Sequence, residues 1–333
     1  MLKNLLRIRP IGCAQFFHTS CYIRNSSEKQ STKSSNLIKS YFELGRFGKP
    51  TGTWLLYLPC TWSIAVAAPP GQLPDFYMLA LFGVGSILMR SAGCTINDMW
   101  DQKYDKLVKR TKDRPLASGS LTYFQALSFL GLQLSASLVI LLQLNWYRLV
   151  LLLLQLISSS VFLGFLSMVP VTTYPLFKRF TYWPQVVLGL TLNWGVWLGY
   201  SAINGFCLFS VCAPLYLAAV CWTCTYDTIY SHQDIDDDIR IGVKSTAILF
   251  GENTKPYLVL FHTGMTACLL TVGMNADAGC IYYLGTLGTM LHIAYLIRKA
   301  DLKNPTCCWQ TFKASRTSGL LYFLTIVLDK ICA

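Results

Sequence analysis

Of 333 residues, 53% are hydrophobic and 13% are charged, about half the charged fraction of a soluble domain. So few charges cannot cover a water-facing surface, which excludes a soluble enzyme and a disordered scaffold. The 28 Lys and Arg outweigh 16 Asp and Glu by a net +12, but the basic residues lie between apolar runs, so the excess reads as membrane topology and not as nucleic-acid binding.

Residues 1–40 differ from the rest. They carry Lys3, Arg7, Arg9, Arg24, Lys29, Lys33 and Lys39 against the single acid Glu28, with serines at 26, 27, 31, 34, 35 and 40. Basic, Ser-rich and acid-poor is the composition of a mitochondrial transit peptide. Arg7, Arg9 and Pro10 interrupt the apolar stretch that a secretory signal requires. Residues 1–40 are therefore expected to be a transit peptide, and 41–333 a membrane domain.

Nine apolar runs come next, at 52–69, 76–96, 121–144, 148–171, 185–203, 205–225, 256–275, 278–297 and 317–332, the first and last being short. A spanning helix needs roughly 20 mostly apolar residues, and backbone polar groups cannot face lipid unpaired. The expectation is an all-α polytopic membrane protein of about nine transmembrane helices. The loops after even-numbered runs carry Lys103, Lys106, Lys109, Arg110, Lys112 and Arg114, then Lys178 and Arg179, then Arg240, Lys244 and Lys255, then Arg298, Lys299, Lys303, Lys313 and Arg316. The odd-numbered loops carry essentially Arg148 alone. The positive-inside rule then places the N-terminus and the even loops on one side, which is the matrix if the address is mitochondrial. The thirteen cysteines are scattered, many within apolar runs, and read as small buried hydrophobes. Cys221-x-x-Cys224 lacks the βαβ setting of a redox motif and has no second pair to complete a zinc site.

Nine of the sixteen acids fall in two short stretches: Asp98, Asp101, Asp105 and Asp113 after the second run, and Asp227, Asp234, Asp236, Asp237 and Asp238 after the sixth. Both runs are even-numbered, so both clusters emerge on the same face. Asp98, Asp101 and Asp105 stand at i, i+3, i+7, one helical face. Asp227, Asp234 and Asp238, at i, i+7, i+11, are expected to share another, with Asp236 and Asp237 turned away. Two facing acidic rows repel unless cations lie between them. Hard Mg²⁺ prefers oxygen ligands and binds through a few carboxylates plus a substrate's phosphates, so the pattern suggests a Mg²⁺–diphosphate site beside an apolar cavity. Solvated helix ends are the bland alternative. Calcium-loop and GxxxxGK[ST] patterns are absent. An ion-coupled transporter would place its acids nearer the bilayer midplane than these helix ends.

At these residues the chain resembles the UbiA superfamily of intramembrane prenyltransferases. The run from Asn97 to Asp105 (NDMWDQKYD) is similar to its NDxxDxxxD motif, and Asp234 to Asp238 (DIDDD), preceded by Tyr226-Asp227-x-x-Tyr230, to its DxxxD motif. Residues 46–63, 109–119 (KRTKDRPLASG), 174–185 (YPLFKRFTYWPQ) and 241–251 (IGVKSTAILFG) resemble the branch that prenylates 4-hydroxybenzoate in ubiquinone synthesis. The resemblance implies helices around a lipid-open cavity, an all-trans polyprenyl diphosphate donor and a 4-hydroxybenzoate acceptor. It also implies Mg²⁺ held by Asp98, Asp101, Asp234 and Asp238, with Asp105 and Asp227 in the same rows. Lys112, Arg114, Lys178, Arg179 and Lys244 are candidates for a diphosphate clamp. Arg46 and Arg90 are candidates for the acceptor carboxylate. Asn97 is expected to bond the substrate or hold Asp98. Tyr230, with Tyr104 and Tyr226, is placed to shield an allylic cation or to anchor at the interface. His232 is a conceivable general base or a plain loop histidine. Haem, homogentisate or a naphthoate are alternative acceptors within the superfamily. Membrane lipid and other ubiquinone-synthesis proteins are expected partners; nucleic acid is not. Two departures stand out: Ile235, where relatives commonly carry Lys or Arg, and Ser315, taken to lie in the last loop where Asn is usual.

Overall fold

The computed structural model describes residues 37–108, 110–144 and 159–333. The expected transit peptide therefore lies almost wholly outside the described residues, as does the first part of the fourth apolar run. Among the described residues every regular element is helical. In chain order they are α1 (residues 37–44), α2 (Thr51–Ala67), α3 (Phe76–Asp105), α4 (Pro115–Ser118), α5 (Tyr123–Gln143), α6 (Ser159–Phe180), α7 (Pro184–Leu192), α8 (Gly195–Asn204), α9 (Phe209–Ser231), α10 (Ile235–Ile241), α11 (Thr246–Phe250), α12 (Thr254–Asn275), α13 (Cys280–Lys299) and α14 (Pro305–Cys332).

Six described segments are long and apolar enough to cross a membrane: α3, α5, α7 with α8, α9, α11 through α12, and α13. Six of the nine expected runs meet this measure among the described residues; the fourth lies partly outside them, and α2 at 17 residues falls short of a full crossing. Three boundaries differ from expectation. α3 has 30 residues, about 45 Å at 1.5 Å per residue, against a hydrocarbon core of about 30 Å. It runs on past residue 96, so its last turns carry the acidic motif beyond the apolar run. The fifth run breaks at Asn193, whose Nδ2 donates to Gly189 O at 2.7 Å and to Thr223 Oγ1 at 2.8 Å. The last helix begins at Pro305, capped by Asn304, so Ser315 sits in a helix and not in a loop; its hydroxyl donates to Thr311 O at 3.2 Å.

Local signals set the other ends. Asp75 accepts from Met78 N and starts α3. Thr122 and Gln125 form a capping box on α5. The core is a buried aromatic cluster: Trp62 lies 5.1 Å from both Trp222 and Tyr322, and Trp222 lies 5.1 Å from Tyr226. The Trp62 indole donates to Gly319 O at 2.8 Å, joining α2 to α14. Lipid gives apolar helices no hydrophobic reason to associate, so small residues that allow close approach matter. A Cβ on Gly199 of α8 would fall 2.2 Å from Ser63 Oγ of α2. Of the described cysteines, Cys60, Cys94, Cys212, Cys224 and Cys308 are buried as expected, whereas Cys280 and Cys332 are exposed.

Candidate active site

The C-terminal end of α3 presents Asp98, Asp101 and Asp105 within two turns. Asp98 is 1% exposed and sits between two guanidinium groups. Arg46 Nη2 donates to both its oxygens at 2.8 and 2.9 Å, and Arg114 Nη1 to Oδ1 at 3.1 Å. The same Arg114 nitrogen reaches Asp105 at 2.8 Å. Arg46 adopts φ 57°, a left-handed conformation that costs a non-glycine residue about 1–2 kcal/mol. Its side chain, donating also to Glu43 O at 2.9 Å, holds that turn. Asp101 faces Lys178 and Arg179, each at 3.8 Å. Arg179 also donates to Trp100 O at 3.1 Å and lies 4.9 Å over the Tyr104 ring.

The second row is not one helical face. α9 ends at Ser231, the chain turns through His232, Gln233 and Asp234, and α10 starts at Ile235. The i, i+7, i+11 spacing assumed a continuous helix, which the turn interrupts; Asp227, Asp234 and Asp238 still converge, because all three line one chamber. Asp234 accepts from Arg110 Nη2 at 2.6 Å and from its Nε at 2.9 Å. Asp238 has no ion pair within 4 Å among the described residues. Burial, then the charge of Asp234, pushes its carboxyl up to about 7 against the opposing pull of Lys178 and Arg110. No hydrogen bond or ion pair reaches the Asp227 carboxylate among the described residues. Asp236 is exposed and Asp237 lies 3.8 Å from Arg240; neither lines the chamber.

Two connected spaces result. A polar chamber of about 160 Å³ is lined by Asp101, Asp105, Asp234, Asp238, Arg179 and Lys244, among others. A cavity of about 900 Å³ runs from Arg46 and Asp98 past Arg90 to the apolar side chains of Phe82, Leu144 and Leu198. Asn97, Arg110, Arg114, Tyr174, Lys178, Asp227 and Tyr230 line both. Lys244 Nζ donates to Phe180 O at 3.2 Å, which ties the loop after α10 to the end of α6.

Arg90 lines the larger cavity. It has no acid within 4 Å among the described residues, and its Nε is buried without a partner. The guanidinium lies over Gly52, where a Cβ would stand 2.5 Å from Nε. Lys112 is brought to neither space: it is exposed and outside both linings. Arg110 takes the place that spacing gave no reason to prefer. Thr111 N donates to Val108 O at 3.1 Å and Arg114 N to Thr111 O at 3.0 Å, and the Thr111 hydroxyl donates to Asp105 O at 3.0 Å. These turns aim Arg110 and Arg114 inward and leave Lys112 in water. His232 lines neither space; its Nδ1 lies 2.9 Å from Thr228 O and its Nε2 3.3 Å from Thr254 Oγ1. Tyr226 is buried in the aromatic core and bonds Thr223 at 3.1 Å.

Among the described residues no three His, Cys, Asp or Glu side chains form a ready-made metal cage. The donors are all hard oxygens, and Mg²⁺ binds through one or two carboxylates completed by phosphates and water, so the residues fit that ion arriving with an anionic substrate. The chamber's cations fit the same substrate.

A family profile described as the UbiA prenyltransferase family matches residues 56–324. The human protein named 4-hydroxybenzoate polyprenyltransferase, mitochondrial, is 53% identical over 296 residues, spanning 88% of this chain and 76% of that protein. The Caenorhabditis elegans protein of the same name is 51% identical over 294 residues, 88% of this chain and 79% of that one. Among solved structures, an apo UbiA homologue from Aeropyrum pernix K1 superposes with a TM-score of 0.66 at 23% identity, covering 83% of this chain and 97% of that one. A UbiA homologue from Archaeoglobus fulgidus bound to GPP and Mg²⁺ gives 0.63 at 16% identity, covering 87% and 99%. At those identities the likeness is one of fold.

Proposed function

This chain belongs to the UbiA prenyltransferase family, and from that premise we propose that it transfers a polyprenyl group from its diphosphate to the ring carbon ortho to the hydroxyl of 4-hydroxybenzoate, in ubiquinone biosynthesis. The observation that carries the reading is the joining of a polar chamber, lined by both acidic motifs and their basic partners, to a large apolar cavity. One space suits a diphosphate and the other an isoprenoid.

In the transfer the allylic carbon–oxygen bond breaks, diphosphate leaves with the electron pair, and the ring carbon forms the new carbon–carbon bond before losing its proton. Asp98, Asp101, Asp234 and Asp238, with Asp105 and Asp227 beside them, would hold Mg²⁺, which when bound supplies charge that neutralises the departing diphosphate. Arg110, Arg114, Lys178, Arg179 and Lys244 supply fixed positive charge around the same leaving group, where exclusion of water strengthens it. Arg110 and Arg114 now rest on aspartates and can exchange them for phosphate oxygens without crossing a bare state. Arg90 binds the acceptor carboxylate, and Asn97, two turns on along α3, is within the same lining. Tyr230 and Tyr174 line both spaces, and aromatic rings at that position suit an allylic cation. The apolar remainder of the cavity keeps water from that cation.

Membranes containing the protein, given labelled 4-hydroxybenzoate, a polyprenyl diphosphate and Mg²⁺, are expected to yield a lipid-extractable prenylated hydroxybenzoate that depends on all three. Product from homogentisate, a naphthoate or haem, with none from hydroxybenzoate, would move the protein elsewhere in the family.

The protein is assigned to a mitochondrial membrane, and more narrowly to the inner membrane with its site facing the matrix. Residues 1–40 are its address. The composition of that segment and the one-sided loop charge support this. A reporter carrying residues 1–45 is expected in mitochondria, and an epitope inserted after Leu107 is expected to resist protease in mitoplasts. A cytosolic reporter or a cleaved epitope refutes the corresponding half.

A further inference from the structure

The rim of the larger cavity carries one cation that none of these roles uses. Lys49 lies in the turn between α1 and α2 and lines that cavity beside Arg46, Arg110 and Arg114. Its position is held by the backbone: Lys49 N donates to Arg46 O at 2.9 Å, and Pro50 comes next as the N-cap of α2 with φ −71°. The side chain is exposed to water.

Every other cation at this rim has an acid within 4 Å. Arg46 is on Asp98, Arg110 on Asp234, Arg114 on Asp98 and Asp105, and Lys178 is 3.8 Å from Asp101. Lys49 has none among the described residues. Although the side chain is exposed, partial desolvation by the groups around it and then the like charges of Arg46, Arg110 and Arg114 lower its pKa, with Glu43 opposing. Among the described residues the positive charge of Lys49 thus lacks the acid partner that each neighbouring cation has. The second unpaired cation, Arg90, lies deeper on α3.

We propose that Lys49 is the capture residue for the donor's diphosphate: the first cation the diphosphate meets from water, and the one that needs no ion pair broken to bind it. Arg46 and Arg110 then trade their aspartates for the seated anion. Charges on a rim act chiefly on association and on its salt dependence, whereas buried, hydrogen-bonded charges act chiefly on dissociation. This inference rests on the prenyl-transfer reading above.

The test uses the full-length protein in liposomes, as wild type, Lys49→Met and Lys49→Arg. Lys49→Met is expected to raise KM for the polyprenyl diphosphate roughly fivefold at low salt and clearly less at about 0.5 M, where rim charges are screened. kcat and the KM for 4-hydroxybenzoate are expected to stay put, and Lys49→Arg to restore the donor KM. Binding of labelled inorganic diphosphate with Mg²⁺ is expected to weaken by a similar factor in Lys49→Met alone. An unchanged donor KM overturns the proposal. So does a shift confined to the acceptor KM, which would make Lys49 the carboxylate's partner, or a fall in kcat alone, which would place it in the chemical step. A wild-type protein that binds diphosphate through Lys49 yet transfers no prenyl group would defeat the functional reading and not the capture role.

Discussion

Asp98→Asn and Asp234→Asn should each lower prenyl transfer about a thousandfold while leaving the protein folded in the membrane. Asn keeps the size of Asp and one acceptor oxygen but loses the charge that attracts a divalent cation. A charged ligand of this kind contributes several kcal/mol to the transition state, and about 4 kcal/mol is a thousandfold in rate. The two positions also hold Arg46, Arg114 and Arg110 by direct bonds. At the buried Asp98, removing one partner of the pair can cost about 3–5 kcal/mol through the charge left behind; the Arg110–Asp234 pair, with Arg110 42% exposed, loses less because water screens it. The isosteric Asn limits that loss, because its carbonyl still accepts from a guanidinium. A melting temperature in detergent separates the two effects. Asp101→Asn and Asp238→Asn belong to the same class. Asp236→Asn, at an exposed carboxylate outside the chamber, should change little and serves as the control. Prenyl transfer that persists in both Asp98→Asn and Asp234→Asn, with the Mg²⁺ dependence of the wild type, would sink the metal–diphosphate account.

Arg90→Met should raise the KM for 4-hydroxybenzoate about a hundredfold and leave the donor KM nearly unchanged. A buried charge pair with hydrogen bonds is worth about 2–5 kcal/mol when one partner is truncated, and about 2.7 kcal/mol is a hundredfold in affinity. Arg90 suits the acceptor carboxylate because no acid in the described protein already claims it: its Nε is buried and unpartnered, whereas Arg46 is doubly bonded to Asp98. The glycine beneath it gives a second, independent probe. A Cβ at position 52 would stand 2.5 to 2.8 Å from three guanidinium atoms, so Gly52→Ala must displace the side chain without deleting it. It should raise the same KM by a smaller factor, roughly tenfold by the same argument. A phenol lacking the carboxylate should show no difference between wild type and Arg90→Met. If Arg46→Met, and not Arg90→Met, selectively raises the acceptor KM, the assignment of the two arginines is reversed.

The helices were legible in the chain because lipid leaves the backbone no alternative, and an apolar run of sufficient length is then a helix wherever it falls. Their ends were less legible. Hydropathy reports contact with lipid, not helicity, so it stopped α3 at residue 96 although the helix continues to Asp105. It joined α7 to α8 across Asn193, whose hydrogen bond to Thr223, 30 residues away, is a tertiary matter. It also passed over the charged start of α14, which put Ser315 in a loop.

The site divides in the same way. The two acidic motifs announced themselves, because acids are scarce in such a chain and two clusters of them are not compatible with a plain membrane anchor. Residue spacing fails where the chain turns: with α9 ending at Ser231, the alignment of Asp227, Asp234 and Asp238 comes from a folded turn, not from helical periodicity. Arg110, Lys112 and Arg114 are alike in type and close in number, and nothing local ranks them. What the amino-acid order determined alone is what solvent and neighbours along the chain govern: the apolar helices, and the acids that end α3 and come after α9. Which cations meet which acids was decided by tertiary structure, since the pairing of Arg110 with Asp234 spans 124 residues, and a Coulomb interaction depends on distance in space rather than on separation in sequence.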